Sequence, residues 1–155
     1  IIWSTGDLSF DRYRERVQNE IEAGSIYLSP YIRRVGKAYS ACDIAISRAG
    51  SGVMMELAAA GVPSILIPYP FAAMDHQNKN ADSFVEAGAA VKIMDEDAVP
   101  EKVAPELFRL LNSPKKLKDM SDKALKVSKP DAADIIVAKI REILKYKGYR
   151  IVQKF

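Results

Sequence analysis

Residues 43–70, DIAISRAGSGVMMELAAAGVPSILIPYP, contain a complete strand–turn–helix–turn–strand unit. Residues 43–47 (DIAIS) form a short apolar run that predicts a buried strand. Residues 48–51 are small or polar and predict a tight turn. Residues 52–60 predict a helix. Gly61 then supplies the left-handed position that closes a helix, and Pro63 stops its continuation. Residues 64–68 (SILIP) predict the next strand, short and apolar as parallel strands buried on both faces are.

The same alternation extends in both directions. Upstream, residues 1–4 predict a strand. Residues 10–21 predict a helix, with Asp7 or Ser9 as N-cap and Gly24 just past its end. Residues 25–28 predict a short strand, and residues 31–41 a short helix or turn. Downstream, residues 75–87 predict a helix ended by Gly88, and residues 90–94 a last strand. Three helices follow, over residues 100–111, 114–127 and 131–146. Strand–helix alternation of this kind implies an α/β fold with a parallel sheet and helices on both faces. Such sheets bind ligands beyond the C-terminal ends of their strands. The loops of interest are therefore those after Leu28, Ser47 and Pro68. One domain over residues 1–147 is expected, with a tail at 148–155. Basic and aromatic residues alternate through Lys145-Tyr146-Lys147-Gly148-Tyr149-Arg150. They suit either lipid headgroups or a partner domain, or else a solvated extension.

Composition bounds the function. The 155 residues are 48% hydrophobic and 28% charged, as soluble globular domains are. The net charge of +3, from 23 basic and 20 acidic residues, is too small for a nucleic-acid-binding face but leaves room for a local anion site. Cys42 is the only cysteine, so no internal disulfide can form. The single histidine, His76, excludes a metal site built from several histidines. No apolar run is long enough to cross a bilayer. The first residues, Ile1-Ile2-Trp3-Ser4, carry no signal-peptide features and open inside an apolar run. They read as a strand whose upstream partner is missing, as in a fragment of a longer enzyme.

Three segments carry chemistry. In the first, Ser47-Arg48-Ala49-Gly50-Ser51-Gly52-Val53-Met54-Met55-Glu56, a strand enters a small-residue turn and then a helix. Gly50 and Gly52 permit close approach of a ligand to backbone, and the free N–H groups of a helix start favour phosphate. The plain alternative is a tight connection. The Lys-Ser/Thr ending of a Walker loop is absent, as is a G-x-G-x-x-G fingerprint. Glu56, one turn into the helix, either accepts hydrogen bonds from ribose hydroxyls or complements the helix dipole. The second segment, Pro68 onwards, leaves a strand through two prolines and enters a helix at Asp75, a candidate N-cap. His76, Gln77, Asn78 and Asn80 crowd that helix start with groups suited to sugar hydroxyls; capping and solvent exposure are the alternative. In the third, Leu28-Ser29-Pro30-Tyr31-Ile32, an aromatic beside a turn lines either a base pocket or the core.

In order, these segments resemble the C-terminal domain of the MurG family of N-acetylglucosaminyltransferases. The resemblance runs from about residue 27 to about residue 133. It is carried by SRAG-x-x-x-x-x-EL, by the P-x-P before the amide-rich helix, by DHQ-x-x-NA and by EAGAA. It implies a Rossmann-like sheet forming the C-terminal half of a two-domain GT-B enzyme, here lacking its first strand, glycine-rich loop and helix. It also implies transfer of GlcNAc from UDP-GlcNAc to the C4 hydroxyl of lipid I, giving lipid II for peptidoglycan at the cytoplasmic face of the membrane. By resemblance, backbone groups of Ile32 read uracil, with Tyr31 packed beside it. The backbone of Ser51, Gly52 and Val53 faces the diphosphate, with Gly50 opening the turn. Glu56 holds the ribose hydroxyls, and Gln77 and Asn78 meet the GlcNAc. Arg48, Asp75 and Asn80 support the site. Val53 stands where the family often has Thr, which removes a hydroxyl contact to phosphate. Asn78 replaces a Gln or small polar residue of some members.

The implied chemistry is an inverting displacement in which UDP leaves against helix N-terminal amides, with no metal and no cofactor. A general base is required, and its identity stays open, with His76 the one imidazole to consider. His76 lies on the sugar side. Lipid I and the membrane surface would be met by an N-terminal acceptor domain outside this sequence, so the chain alone is expected to be inactive. Two other classes fit the residues. One is a stand-alone donor-binding subunit that needs a separate acceptor subunit. The other is a nucleotide-binding module without transfer activity.

Overall fold

The computed structural model describes residues 1–146 of the chain. The predicted tail at 148–155 therefore lies outside the described residues. Strands β1 (Ile2–Ser4), β2 (Tyr27–Ser29), β3 (Ala45–Ser47), β4 (Ser64–Leu66) and β5 (Ala90–Lys92) alternate with helices. These helices are α1 (Phe10–Arg16), α2 (Gln18–Glu22), α3 (Val35–Ser40), α4 (Ser51–Ala59) and α5 (His76–Glu86). Helices α6 (Pro100–Leu111), α7 (Pro114–Val127) and α8 (Ala132–Tyr146) complete the fold. Every strand pairing is parallel, as the alternation requires.

Strand β4 is the centre. All three of its residues are buried, and its alternating side chains feed two cores. Leu66 packs with Met54, Ala58, Ala81, Phe84 and Ala124, beneath α4, α5 and α7. Ile65 points to the other face and packs with Leu110 and Met120 of α6 and α7. This two-sided burial is why the strand reads as an unbroken apolar run.

Three expectations need correction. The strand at residues 43–47 is not buried: Ile46 is 46% exposed. The reason is position, since β3 pairs only with β4 among the described residues and forms an edge. The sheet is also not continuous. Strands β1 and β2 form a pair, and β3–β4–β5 a separate sheet. β1 bonds to β2 and to no other described strand. Finally, the helix over residues 10–21 is kinked. β-Branched Val17 leaves the helical region at φ −120°, ψ 26°. Hydrogen bonds from Val17 N to Tyr13 O (3.1 Å) and from Ile21 N to Val17 O (3.0 Å) carry the segment across the kink.

Gly61 ends α4 in the left-handed conformation its sequence position predicts, at φ 64°. A Cβ there would lie 3.1 Å from Leu125 Cγ and 3.2 Å from Ser121 Oγ on α7. Gly61→Ala is thus expected to destabilise the domain by at least about 1–2 kcal/mol from backbone conformation alone. Urea denaturation measures it, and an unchanged midpoint would contradict this packing. At the other end of the chain, α8 buries none of its side chains. Ile136, Val137, Ile140 and Ile143 form an exposed apolar stripe on it.

Candidate active site

Loops at the C-terminal ends of β2, β3, β4 and β5 carry the candidate residues. After β2, Tyr31 and Ile32 line a cleft of about 650 Å³ shared with Ser29, Arg34 and Lys37. Ser29 Oγ donates to Tyr31 O at 2.9 Å and sets the turn. The backbone N–H of Ile32 makes no hydrogen bond among the described residues, so it remains available to a planar ligand, while its C=O opens the turn at residues 33–34.

After β3 the chain turns into α4 through Gly50, which is extended at φ −69°, ψ 137°. No side chain caps this helix. Its first internal bond runs from Met54 N to Gly50 O at 3.1 Å. The N–H groups of Ser51, Gly52 and Val53 are therefore left without acceptors among the described residues, and the helix dipole adds partial positive charge there. A Cβ at Gly50 or Gly52 would meet nothing within 4 Å. Packing thus does not demand glycine at either position, and the space over the turn is open.

Met54, Leu57 and Ala58 turn into the core, which rotates Glu56 to the exposed side of α4. Its Oε2 accepts a 3.1 Å hydrogen bond from the Tyr39 hydroxyl on α3. Burial first, and then that bond and the carboxylate's charge, push the Tyr39 phenol up to about 12. Tyr39 therefore stays a neutral donor across the physiological range.

Arg48 ties three strand ends together. Its guanidinium donates to Ile67 O at 3.4 Å and Pro68 O at 3.3 Å, pairs with Asp95 after β5, and lies over the Tyr69 ring, 5.6 Å from its centroid. Asn80 Nδ2 donates to Ala49 O at 3.1 Å, joining α5 to the β3–α4 turn. These two side chains join loops far apart in sequence into one rim.

The entry to α5 differs from the expected cap. Asp75 occupies the N-cap position, but in the left-handed region at φ 57°, following Met74 at φ 53°, and it caps no backbone N–H. A capping side chain needs an extended backbone to reach back over the helix. The Asp75 carboxylate instead accepts from Asn78 Nδ2 at 2.8 Å. Consecutive left-handed residues persist because the loop is over-determined. Asp75 N donates to Ala72 O (3.0 Å), and Tyr69 N to Gln77 Oε1 (3.0 Å). His76 Nδ1 lies 2.7 Å from Ala73 O. The Gln77 oxygen is thus committed to the loop, leaving its Nε2 donors. Asn78 Oδ1 is buried with no partner among the described residues. Asn78 also lines a second cleft, of about 280 Å³, with Pro68, Pro70, Met94, Asp95 and Glu96. No group of three or more His, Cys, Asp or Glu side chains able to hold a metal occurs among the described residues.

Two residues escaped the sequence reading. Asp95 follows a strand end, so the rule that pointed to the earlier loops would have reached it had β5 been included. Tyr39 carries no such signal, because its partner lies on another helix.

The model for the glycosyltransferase family 28 C-terminal domain matches residues 1–136. This chain belongs to that family. The relatives it resembles include the UDP-N-acetylglucosamine–N-acetylmuramyl-(pentapeptide) pyrophosphoryl-undecaprenol N-acetylglucosamine transferases of two bacteria. The protein of Carboxydothermus hydrogenoformans is 37% identical over 148 residues, covering 96% of this chain and 39% of the relative. That of Chlorobium limicola is 37% identical over 145 residues, covering 94% and 39%. This family 28 domain therefore spans about two fifths of the length of those enzymes. Among solved structures, MurG of Acinetobacter baumannii superposes with a TM-score of 0.79 at 31% identity, over 92% of this chain and 41% of that one. The calicheamicin glycosyltransferase CalG4 superposes at 0.55 and 20% identity, over 77% and 31%, and shares the fold. The α/β architecture is that of the C-terminal domain of GT-B glycosyltransferases, as the resemblance implied.

Proposed function

We propose that this domain binds UDP-GlcNAc within an enzyme that transfers GlcNAc to the C4 hydroxyl of lipid I, forming lipid II. The observation that carries the reading is the uncapped start of α4, with three N–H groups unpaired among the described residues, one helical turn from a carboxylate held by Tyr39. It offers donors to a diphosphate and an acceptor to a ribose diol. The identity with enzymes named for that transfer supports the sugar and the acceptor.

Each site residue has a role in this reading. Ile32 offers its backbone N–H and C=O to the uracil edge, with Tyr31 lining the same cleft. Arg34 and Lys37 on that cleft favour an anionic nucleotide. Amides of Ser51, Gly52 and Val53 meet the diphosphate, and they stabilise the charge that grows as UDP departs. Val53 contributes backbone only. Gln77 Nε2 and Asn78 face the sugar, while Arg48, Gly50, Asp75 and Asn80 shape the rim. Nδ1 of His76 donates to Ala73 O, which anchors the loop and leaves the lone pair on Nε2. The acceptor hydroxyl is activated by a group of the remaining polypeptide, which also meets lipid I and the cytoplasmic membrane surface. No described helix is long and apolar enough to cross a membrane, and the enzyme works as a peripheral protein.

Calorimetry on the full-length protein tests this. UDP and UDP-GlcNAc are expected to bind at least about tenfold more tightly than ADP and ADP-glucose, as one well-made hydrogen-bonding edge requires. Equal affinities for both nucleotides would overturn the proposal.

A further inference from the structure

Glutamate 56 has three rotatable side-chain bonds and stands on the exposed side of α4, so nothing in its own helix fixes its direction. Core packing ends at Met54, Leu57 and Ala58, which face away from it. Among the described residues, the one hydrogen bond that restrains the carboxylate comes from another element. Tyr39 of α3 donates to Oε2 at 3.1 Å, across 17 residues of sequence. A phenol is a rigid donor with only two torsions, and this one is half-buried. One accepted bond uses one of about four lone-pair sites on a carboxylate, leaving Oε1 and a second site on Oε2 for two hydroxyls.

We infer that Tyr39 is a positioning residue for Glu56, holding its carboxylate in the orientation that receives the ribose 2′ and 3′ hydroxyls. This rests on the reading of Glu56 as the ribose ligand. Ordering of the Glu56 side chain is completed before the nucleotide arrives, so the ligand meets a fixed acceptor pair and loses less affinity to immobilisation. The same bond joins α3, which follows the base cleft, to α4, which starts at the diphosphate site. Tyr39 thus acts on sugar recognition without touching the sugar.

The test compares UDP with 2′,3′-dideoxy-UDP, which lacks both hydroxyls, by calorimetry on the full-length protein. The ratio of the two affinities reports the diol contact alone. Glu56→Ala is expected to bring that ratio close to one. Tyr39→Phe keeps the ring and removes only the donor. It is expected to reduce the ratio about three- to tenfold, the worth of one hydrogen bond, through weaker UDP binding. Dideoxy-UDP should bind Tyr39→Phe as it binds the unmodified protein, which also verifies an intact site. The double variant should match Glu56→Ala. A ratio unchanged by Tyr39→Phe, or equal weakening of both ligands, would overturn the positioning role while leaving Glu56 as the ribose ligand. A ratio unchanged by Glu56→Ala would overturn the ribose reading and this inference together.

Discussion

Glu56→Ala is expected to weaken UDP binding by about 1.5–3 kcal/mol, the worth of hydrogen bonds to a charged group. That is roughly a 10- to 150-fold rise in Kd. The effect is large because one carboxylate serves both hydroxyls of the diol. The side chain stands on the exposed side of α4, apart from the core that Met54, Leu57 and Ala58 enter. Its removal leaves that core unchanged, so the melting temperature should stay near that of the unmodified protein. Calorimetry with UDP, paired with thermal denaturation, separates the two quantities. Unchanged affinity with an intact fold would reduce Glu56 to a carboxylate that complements its own helix.

Ile65→Ala should have the larger effect on stability. Ile65 is fully buried on β4 and packs against Leu110 and Met120. Truncation removes three methyl or methylene groups and leaves a cavity between the sheet, α6 and α7, at a cost of about 2–5 kcal/mol. Domains of this size are stable by about 5–15 kcal/mol, so the loss is a substantial part of the whole. The paired control is Ile46→Ala on β3. That position is 46% exposed and should lose well under half as much. Urea denaturation of both variants decides the point. Equal losses would contradict the placement of β4 at the centre and β3 at the edge.

Much of the fold was legible because its signals are local. Periodicity and the prolines at 100 and 114 located α6 and α7, whose first residues are those prolines. Gly61 and Gly88 marked the ends of α4 and α5 for the same kind of reason, since each sits at positive φ. The kink at Val17 was not legible, because a β-branched residue is tolerated in many helices and its neighbours keep their hydrogen bonds. The exposure of Ile46 was not legible either. DIAIS and SILIP share one apolar pattern, and only strand order makes the first an edge and the second a centre.

The candidate site divides in the same way. The amino-acid sequence alone determined the small or polar turn at 48–51, the carboxylate one turn later and the amide-rich helix start. Each depends on residue types at short, fixed separations. Tertiary structure decided how those groups are held. It placed Tyr39 on Glu56, bound Arg48 to Asp95 and to the carbonyls after β4, and linked Asn80 to Ala49. It also turned Asp75 away from its expected cap and committed the Gln77 oxygen to Tyr69 N. The physical reason is range. Helix starts and turns are settled by neighbours within a few residues, whereas a side-chain hydrogen bond between elements depends on where the parallel strands set their ends.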